Sequence, residues 1–242
     1  MPVVAMAQPQ SAGTSATEVI ALGPEPLVRQ VAKVPKKTRF YGAHLCAYPE
    51  FSCVKVQRGD TWETLFTDPY QRDLVQRLNR TNTSLRYRSW IVVPSELDRV
   101  DLMALSPFPL QLEPTGESHL VVKLNALAFG AYDEHGHLIH WGPIAGGKDW
   151  CPDTQSACRT KTGQHKIYRK QGAKCQSSVY PLETNGGAPM PYCMHYYRGY
   201  ALHGGQLPGH HDSHGCVRLY DSDAKWLNHH FLKVGSAISV EN

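Results

Sequence analysis

No apolar run in the 242-residue chain approaches the ~18 or more residues that a membrane-crossing helix needs. No dense lysine–arginine block is present either, and the formal charge of +4 is mild. Such a chain carries no electrostatic footprint for nucleic acid, though it suits an anionic neighbour such as cell wall or lipid. The metal-site spacings CxxC and HExxH are both missing. Carboxylates are scarce where histidines are densest: Asp212 is the one acid within "HGGQLPGHHDSHGC", residues 203–216. A hydrophobic fraction of 41% with a mean hydropathy of −0.40 describes a soluble globular protein. Its length suits one large domain, or a small module and a larger one.

Seven cysteines are present. Cys46 with Cys53 and Cys151 with Cys158 are close enough in sequence to pair as local staples. Cys175 and Cys193 then follow by elimination, one of fifteen pairings open to six cysteines, and Cys216 is left over. The plainer alternative is seven unpaired thiols in a reducing compartment. The N-terminus favours export, because Ala5, Met6 and Ala7 form an A-x-A pattern after a short apolar stretch. Residues 1–40 are therefore expected to be a signal-peptide remnant and a Pro-, Ala- and Ser-rich flexible arm. A chance Ala/Met-rich terminus is the other reading. The expected location is periplasmic, or otherwise exported and wall-associated.

Residues 41–97 read as a small βααβ unit. "CVKVQ" alternates as a strand, Gly59 turns the chain, and Asp60 with Glu63 is expected to cap a helix over 61–66. Asp68 followed by Pro69 opens a second helix with Leu74, Val75 and Leu78 on one face. "WIVVP" closes as a strand. This pattern, "VKVQRGDTWETLF…LVQRLNRTNTSL…IVVP", resembles the lysin motif (LysM), which binds N-acetylglucosamine-containing glycans such as peptidoglycan. The resemblance implies a sugar groove at Gly59, Asp60, Thr61, Asn79, Asn82 and Leu85. Arg88 stands where that family usually has glycine, and a non-glycine residue resists a turn needing positive φ. A spacer that keeps the fold without binding sugar is the alternative. On the lysin-motif reading the unit is expected to contribute localisation rather than chemistry.

Residues 98–117, with Pro107, Pro109 and Pro114, are expected to be a connection. From 118 to 242 the chain reads as mainly β with few helices, so the fold class expected overall is α+β. "EHGH" between two apolar stretches predicts a hairpin, and "SDAKWLNHHFLK" a helix capped by Ser222 or Asp221.

The stretch 203–216 admits three readings. A metal site would use His210, His214 and Cys216, but Pro208, Gly209 and Gly215 oppose the helix that would align the two imidazoles. A plain glycine-rich loop leaves the odd cysteine unexplained. A thiol nucleophile with a neighbouring imidazole base explains both, with glycines at 204, 205 and 215 letting backbone N–H groups approach an oxyanion. A base thirteen residues before the nucleophile fits two adjacent strands joined by a loop.

"ALHGGQLPGHHDSHGCVRL" resembles the signature of L,D-transpeptidase catalytic domains. "RTKTGQHKI", with Lys161 for the usual proline, and "MPYCMHYYRGYALHGG" resemble two further segments of that family. The resemblance implies Cys216 as nucleophile and His203 as general base, its ring oriented by a carbonyl near Gly204. It implies that Ser213 and His214 shape the site, and that the N–H groups of Gly215 and Cys216 hold the oxyanion. Arg218 would meet a substrate carboxylate or hold the loop, while Tyr192 and Met190 would line the donor pocket. His210, His211 and Asp212 read as solvated loop residues.

The implied donor is a peptidoglycan tetrapeptide stem, cut before its terminal D-Ala, and the mechanism requires no cofactor or metal. The acceptor stays open. An amine of another stem would give a 3→3 crosslink, a protein lysine would anchor a protein to the wall, and water would make an L,D-carboxypeptidase. A non-catalytic peptidoglycan-binding protein is the remaining alternative.

Overall fold

A computed structural model describes residues 40–242; the expected signal remnant and arm, but for Phe40, lie outside the described residues. The N-terminal part runs β1 (Phe51–Lys55), α1 (Trp62–Leu65), α2 (Pro69–Leu78) and β2 (Trp90–Pro94). β1 and β2 pair antiparallel, from Phe51↔Pro94 to Lys55↔Trp90. The cap of α1 is Thr61, not Asp60. Thr61 and Thr64 satisfy each other's backbone N–H groups as a capping box, and the Asp60 carboxylate instead accepts from the Gln57 N–H to close the turn at Gly59. α2 begins as the sequence predicts, with Asp68 accepting from the Gln71 N–H at 2.8 Å and Pro69 in the first turn.

The buried side of α2 faces two ways. Val75 packs with Trp62, Leu65, Phe66, Leu85 and Ile91 inside the unit. Leu74 and Leu78 join a second cluster, with Trp90 and Val92, that also takes in Phe108, Tyr132, Leu138 and Trp141. One hydrophobic cluster thus crosses the expected connection. That connection is itself packed: Leu105 and Phe108 are buried, Trp141 Nε1 donates to the Leu102 carbonyl, and the Tyr132 hydroxyl donates to that of Pro109. The segment meets the sheet through one antiparallel bridge, Gln111 with His137, and the prolines beside it, with no N–H to donate, do not extend the pairing.

The rest is a nine-stranded sheet. Its strands are β3 (His119–Lys123), β4 (Ala128–Tyr132), β5 (Leu138–Ala145), β6 (Gly163–Lys166), β7 (Arg169–Lys170), β8 (Met194–Tyr197), β9 (Tyr200–Gly204), β10 (Val217–Leu219) and β11 (Ala237–Glu241). The spatial order is β6-β11-β3-β4-β5-β10-β9-β8-β7. The predicted hairpin is β4–β5. Residues 163–170 supply both edge strands, so the sheet curls until its two edges lie in one short segment. Its concave side holds the largest core cluster, including Leu120, Phe129, Ile144, Met194, Leu202 and Leu219.

α3 (Asp221–Trp226) continues into a wider π turn over Leu227–Phe231 and packs on this core. Neither Ser222 nor Asp221 caps it: the cap position is Tyr220, with no side-chain bond, and Asp221 and Asp223 lie in the first turn, favourable to the helix dipole. Asp223 is buried, and Arg77 of α2 grips it through two bonds of 2.8 and 3.0 Å, with His140 Nε2 at 3.0 Å from the same carboxylate. Gly142 makes room for this contact, since a Cβ there would stand 2.4 Å from the Asp223 carboxylate. The described residues contain no helix long and apolar enough to cross a membrane.

Candidate active site

β9 and β10 lie side by side and parallel, with Leu202 opposite Val217 and His203 opposite Arg218. Alternation along each strand sends Leu202, Val217 and Leu219 into the core and turns His203 and Arg218 to the other face. Cys216, two residues before Arg218, opens on that same face. A cavity of about 720 Å³ holds both Cys216 and His203. The three disulfides join Cys46–Cys53, Cys151–Cys158 and Cys175–Cys193, which leaves Cys216 as the free thiol. The pairing is the one expected from the sequence.

His203 is buried, and its Nδ1 sits 2.8 Å from the Gly204 carbonyl. A carbonyl can only accept, so Nδ1 carries the proton and Nε2 is left bare to take another. Burial pushes the imidazole down to about 4, with the Arg218 charge adding to the effect. Burial likewise pushes the Cys216 thiol up. Both shifts favour uncharged partners, so the resting pair is a thiol beside a neutral base. Glycine at 204 is demanded by close packing: a Cβ would stand 2.3 Å from the Asp221 carboxylate. At 215 both the φ of +118° and the Tyr200 ring 2.5 Å from an added Cβ exclude a side chain.

Ser213 braces the loop. Its hydroxyl donates to the Cys216 carbonyl and accepts from the Gly215 N–H at 3.0 Å. The Gly215 N–H is therefore already engaged, as are those of Gly204 (to Pro191 O) and Gly205 (to Leu219 O). The other oxyanion donor named from the sequence is the Cys216 N–H. His214 lines the cavity, stacks on Tyr180 with ring centroids 4.2 Å apart, and binds Asp153 at 2.7 Å. Arg218 holds the loop through Asp212, to both its carboxylate and its carbonyl, while also facing the cavity. Asp212 is therefore paired as well as partly solvated. His211 too is more than a solvated loop residue, because its Nδ1 accepts from the Gly146 N–H; His210 is exposed.

Met190 lines the cavity beside the Cys175–Cys193 bridge. Tyr192 does not: its backbone turns at φ 58°, and its ring packs on the sheet core and edge-on to His229. The metal reading finds no thiolate. The one candidate donor group among the described residues is Cys151, Asp153 and His214, and the Cys151 sulfur is in a disulfide. Sequence reasoning passed over Tyr180, Tyr200, Gln206, Arg169 and His195, all in the cavity wall. Only strand pairing and the disulfide-tied segment 176–190 bring them there.

The implied sugar groove is largely occupied by the protein itself. Asn79 is buried, donating to the Val75 and Val92 carbonyls and accepting from the Val92 N–H; Leu85 is buried as well. Asn82 grips the loop that leads to Cys216, accepting from the Leu207 N–H at 2.8 Å and donating to the Gly205 carbonyl at 3.2 Å. Thr81 donates to the Leu207 carbonyl and Arg88 to that of Pro208. Arg88 thus replaces the expected glycine turn with a clasp on the loop. Gly59 and Thr61 remain exposed.

Comparison with protein families matches residues 117–240 to YkuD, the L,D-transpeptidase catalytic domain. Comparison with curated proteins finds no match. Among solved structures, an L,D-transpeptidase from Xylanimonas cellulosilytica is similar, with 18% identity over 77% of this chain and 97% of its own, and a TM-score of 0.54. An L,D-transpeptidase from Mycobacterium smegmatis (22% identity, 52% of this chain and 59% of its own, TM-score 0.43) and one from Stackebrandtia nassauensis (18%, 72% and 67%, 0.44) are more distant in shape. At these identities the first likeness speaks for the fold.

Proposed function

Because the chain belongs to the L,D-transpeptidase catalytic domain family, we propose that it is an exported, wall-associated peptidoglycan L,D-transpeptidase with Cys216 as nucleophile and His203 as base. The observation that carries the reading is the parallel pairing of β9 with β10, which puts the free thiol and a bare imidazole nitrogen in one cavity. The Cys216 sulfur attacks the carbonyl of the third stem residue as its proton passes to His203 Nε2. The Cys216 N–H steadies the oxyanion. The D-Ala amine leaves with the proton from His203, and a thioester remains. An acceptor amine gives its proton to His203 and displaces the thiol, forming a 3→3 crosslink or anchoring a protein; water would release a trimmed stem.

Three disulfides support an oxidising compartment. The lysin-motif reading of 41–97 enters in reduced form. Its β-α-α-β order supports it, but Asn79 and Leu85 are buried, which leaves the Gly59–Thr61 edge and the loop-bound Asn82 open to a glycan.

The test is covalent. A carbapenem should add one mass to the intact protein, on Cys216, and Cys216→Ala should abolish it. Stoichiometric zinc with an unreactive Cys216 would overturn the assignment. Mass spectrometry of digested wall material then identifies the acceptor.

A further inference from the structure

The cavity wall carries two arginines and three histidines and no carboxylate. Its two arginines differ. Arg218 spends its charge on Asp212, 3.2 Å away. Arg169 has no ion-pair partner among the described residues. Its guanidinium instead donates to His195 Nε2 at 2.9 Å. An accepting Nε2 is unprotonated, and burial together with the Arg169 charge keeps the imidazole down at about 4. His195 is 5% exposed, and its Nδ1 is buried without a partner. A neutral ring thus orients the guanidinium without cancelling its charge.

Strand register places this pair relative to the thiol. Arg218 pairs with His203, Ala201 with His195, and His195 with Arg169, all on the cavity face of β10, β9, β8 and β7. Three interstrand spacings, roughly 14 Å, separate the two arginines across the sheet, and the two-residue step from His203 to Ala201 adds roughly 7 Å along it.

We infer that Arg169, positioned by His195, is a carboxylate-binding subsite for the acyl donor, reading a carboxylate one to two residues upstream of the scissile carbonyl. The planar fork of a guanidinium matches a carboxylate in two bonds. A carboxylate on the leaving residue sits within about one residue length, ~3.5 Å, of the reacting carbonyl. That places it in the range of Arg218 and short of Arg169. The inference rests on reading the cavity as the donor site.

The test separates it from the transpeptidase reading by measuring binding and turnover apart. The probes are two synthetic tetrapeptides, L-Ala–γ-D-Glu–diaminopimelate–D-Ala, with the glutamyl α-carboxylate either free or as the carboxamide. Calorimetry on the full chain carrying Cys216→Ala should show roughly tenfold tighter binding of the free carboxylate, as expected of a charge-assisted hydrogen bond. Adding Arg169→Gln should erase that preference and leave carboxamide affinity unchanged, while Arg169→Lys should keep part of it. Equal weakening of both probes by Arg169→Gln, or no preference in the starting protein, would overturn the subsite. Retained preference without turnover by the native enzyme would strike at the transpeptidase reading alone.

Discussion

Two polar loops meet at Leu207, and they use their polarity in opposite ways. In residues 79–88, Asn79, Thr81, Asn82 and Arg88 all bind protein carbonyls or amides. In residues 205–216 the polar groups brace the backbone, and the chain ends on a thiol left unpaired at the cavity. The first loop resembles a sugar site and is built as a clamp; the second resembles a plain loop and holds the candidate nucleophile. A polar residue must find a partner when buried, but its identity does not say whether that partner is a ligand or the protein itself.

The sharpest way to break this comparison is to remove the clamp entirely. Deleting residues 1–112 would strip Leu74, Leu78, Trp90 and Phe108 from Tyr132, Leu138 and Trp141. The remainder should be insoluble or lack a cooperative thermal transition by circular dichroism. A soluble fragment melting like the full chain would show two independent units, as the sequence alone leads one to expect.

On the catalytic side, His203→Ala should slow carbapenem acylation near neutrality by about a hundred- to ten-thousand-fold. Raising the pH should restore part of the rate, and only above the ordinary thiol range, because burial holds the Cys216 thiol high. In the native protein burial keeps the His203 imidazole unprotonated down to about pH 4. Acylation should therefore be level between pH 5 and 7, and an acid limb centred near 6.5 would contradict the lowering of the His203 imidazole by burial.

Arg77→Leu leaves Asp223 buried without its main partner and should cost about 3–5 kcal/mol of stability in urea melts. Burial alone would raise the Asp223 carboxyl, but the hydrogen bond from His140 and the charge and bonds of Arg77 outweigh it and hold it low. A depressed carboxyl contributes stability that is fully present above the unfolded value, about 3.9, and is lost as pH falls through the folded one. Acid unfolding should thus flatten below about pH 4 in Asp223→Asn relative to the native chain.

The smallest effect is expected at Asn82. Asn82→Ala removes two loop bonds, worth about 1 kcal/mol each. The Leu207 amide should exchange faster, while sedimentation with insoluble peptidoglycan stays unchanged. A loss of sedimentation with Leu207 still protected would return Asn82 to a glycan site.

Local chemistry was legible in the sequence. The Asp68–Pro69 helix start, the β4–β5 hairpin, the staples at Cys46–Cys53 and Cys151–Cys158, and the His203…Cys216 spacing all depend on neighbours or near neighbours in the chain. The cap at Thr61 shows the limit even there, since the adjacent Asp60 could equally have served. Tertiary structure alone decided the rest. Arg169 and His195 are 26 residues apart, Arg77 and Asp223 146 apart, and Asn82 and Leu207 125 apart. No periodicity encodes such pairs. They exist because packing brings distant strands, helices and loops together, and because burying a charge or an amide is tolerable only when a partner arrives with it.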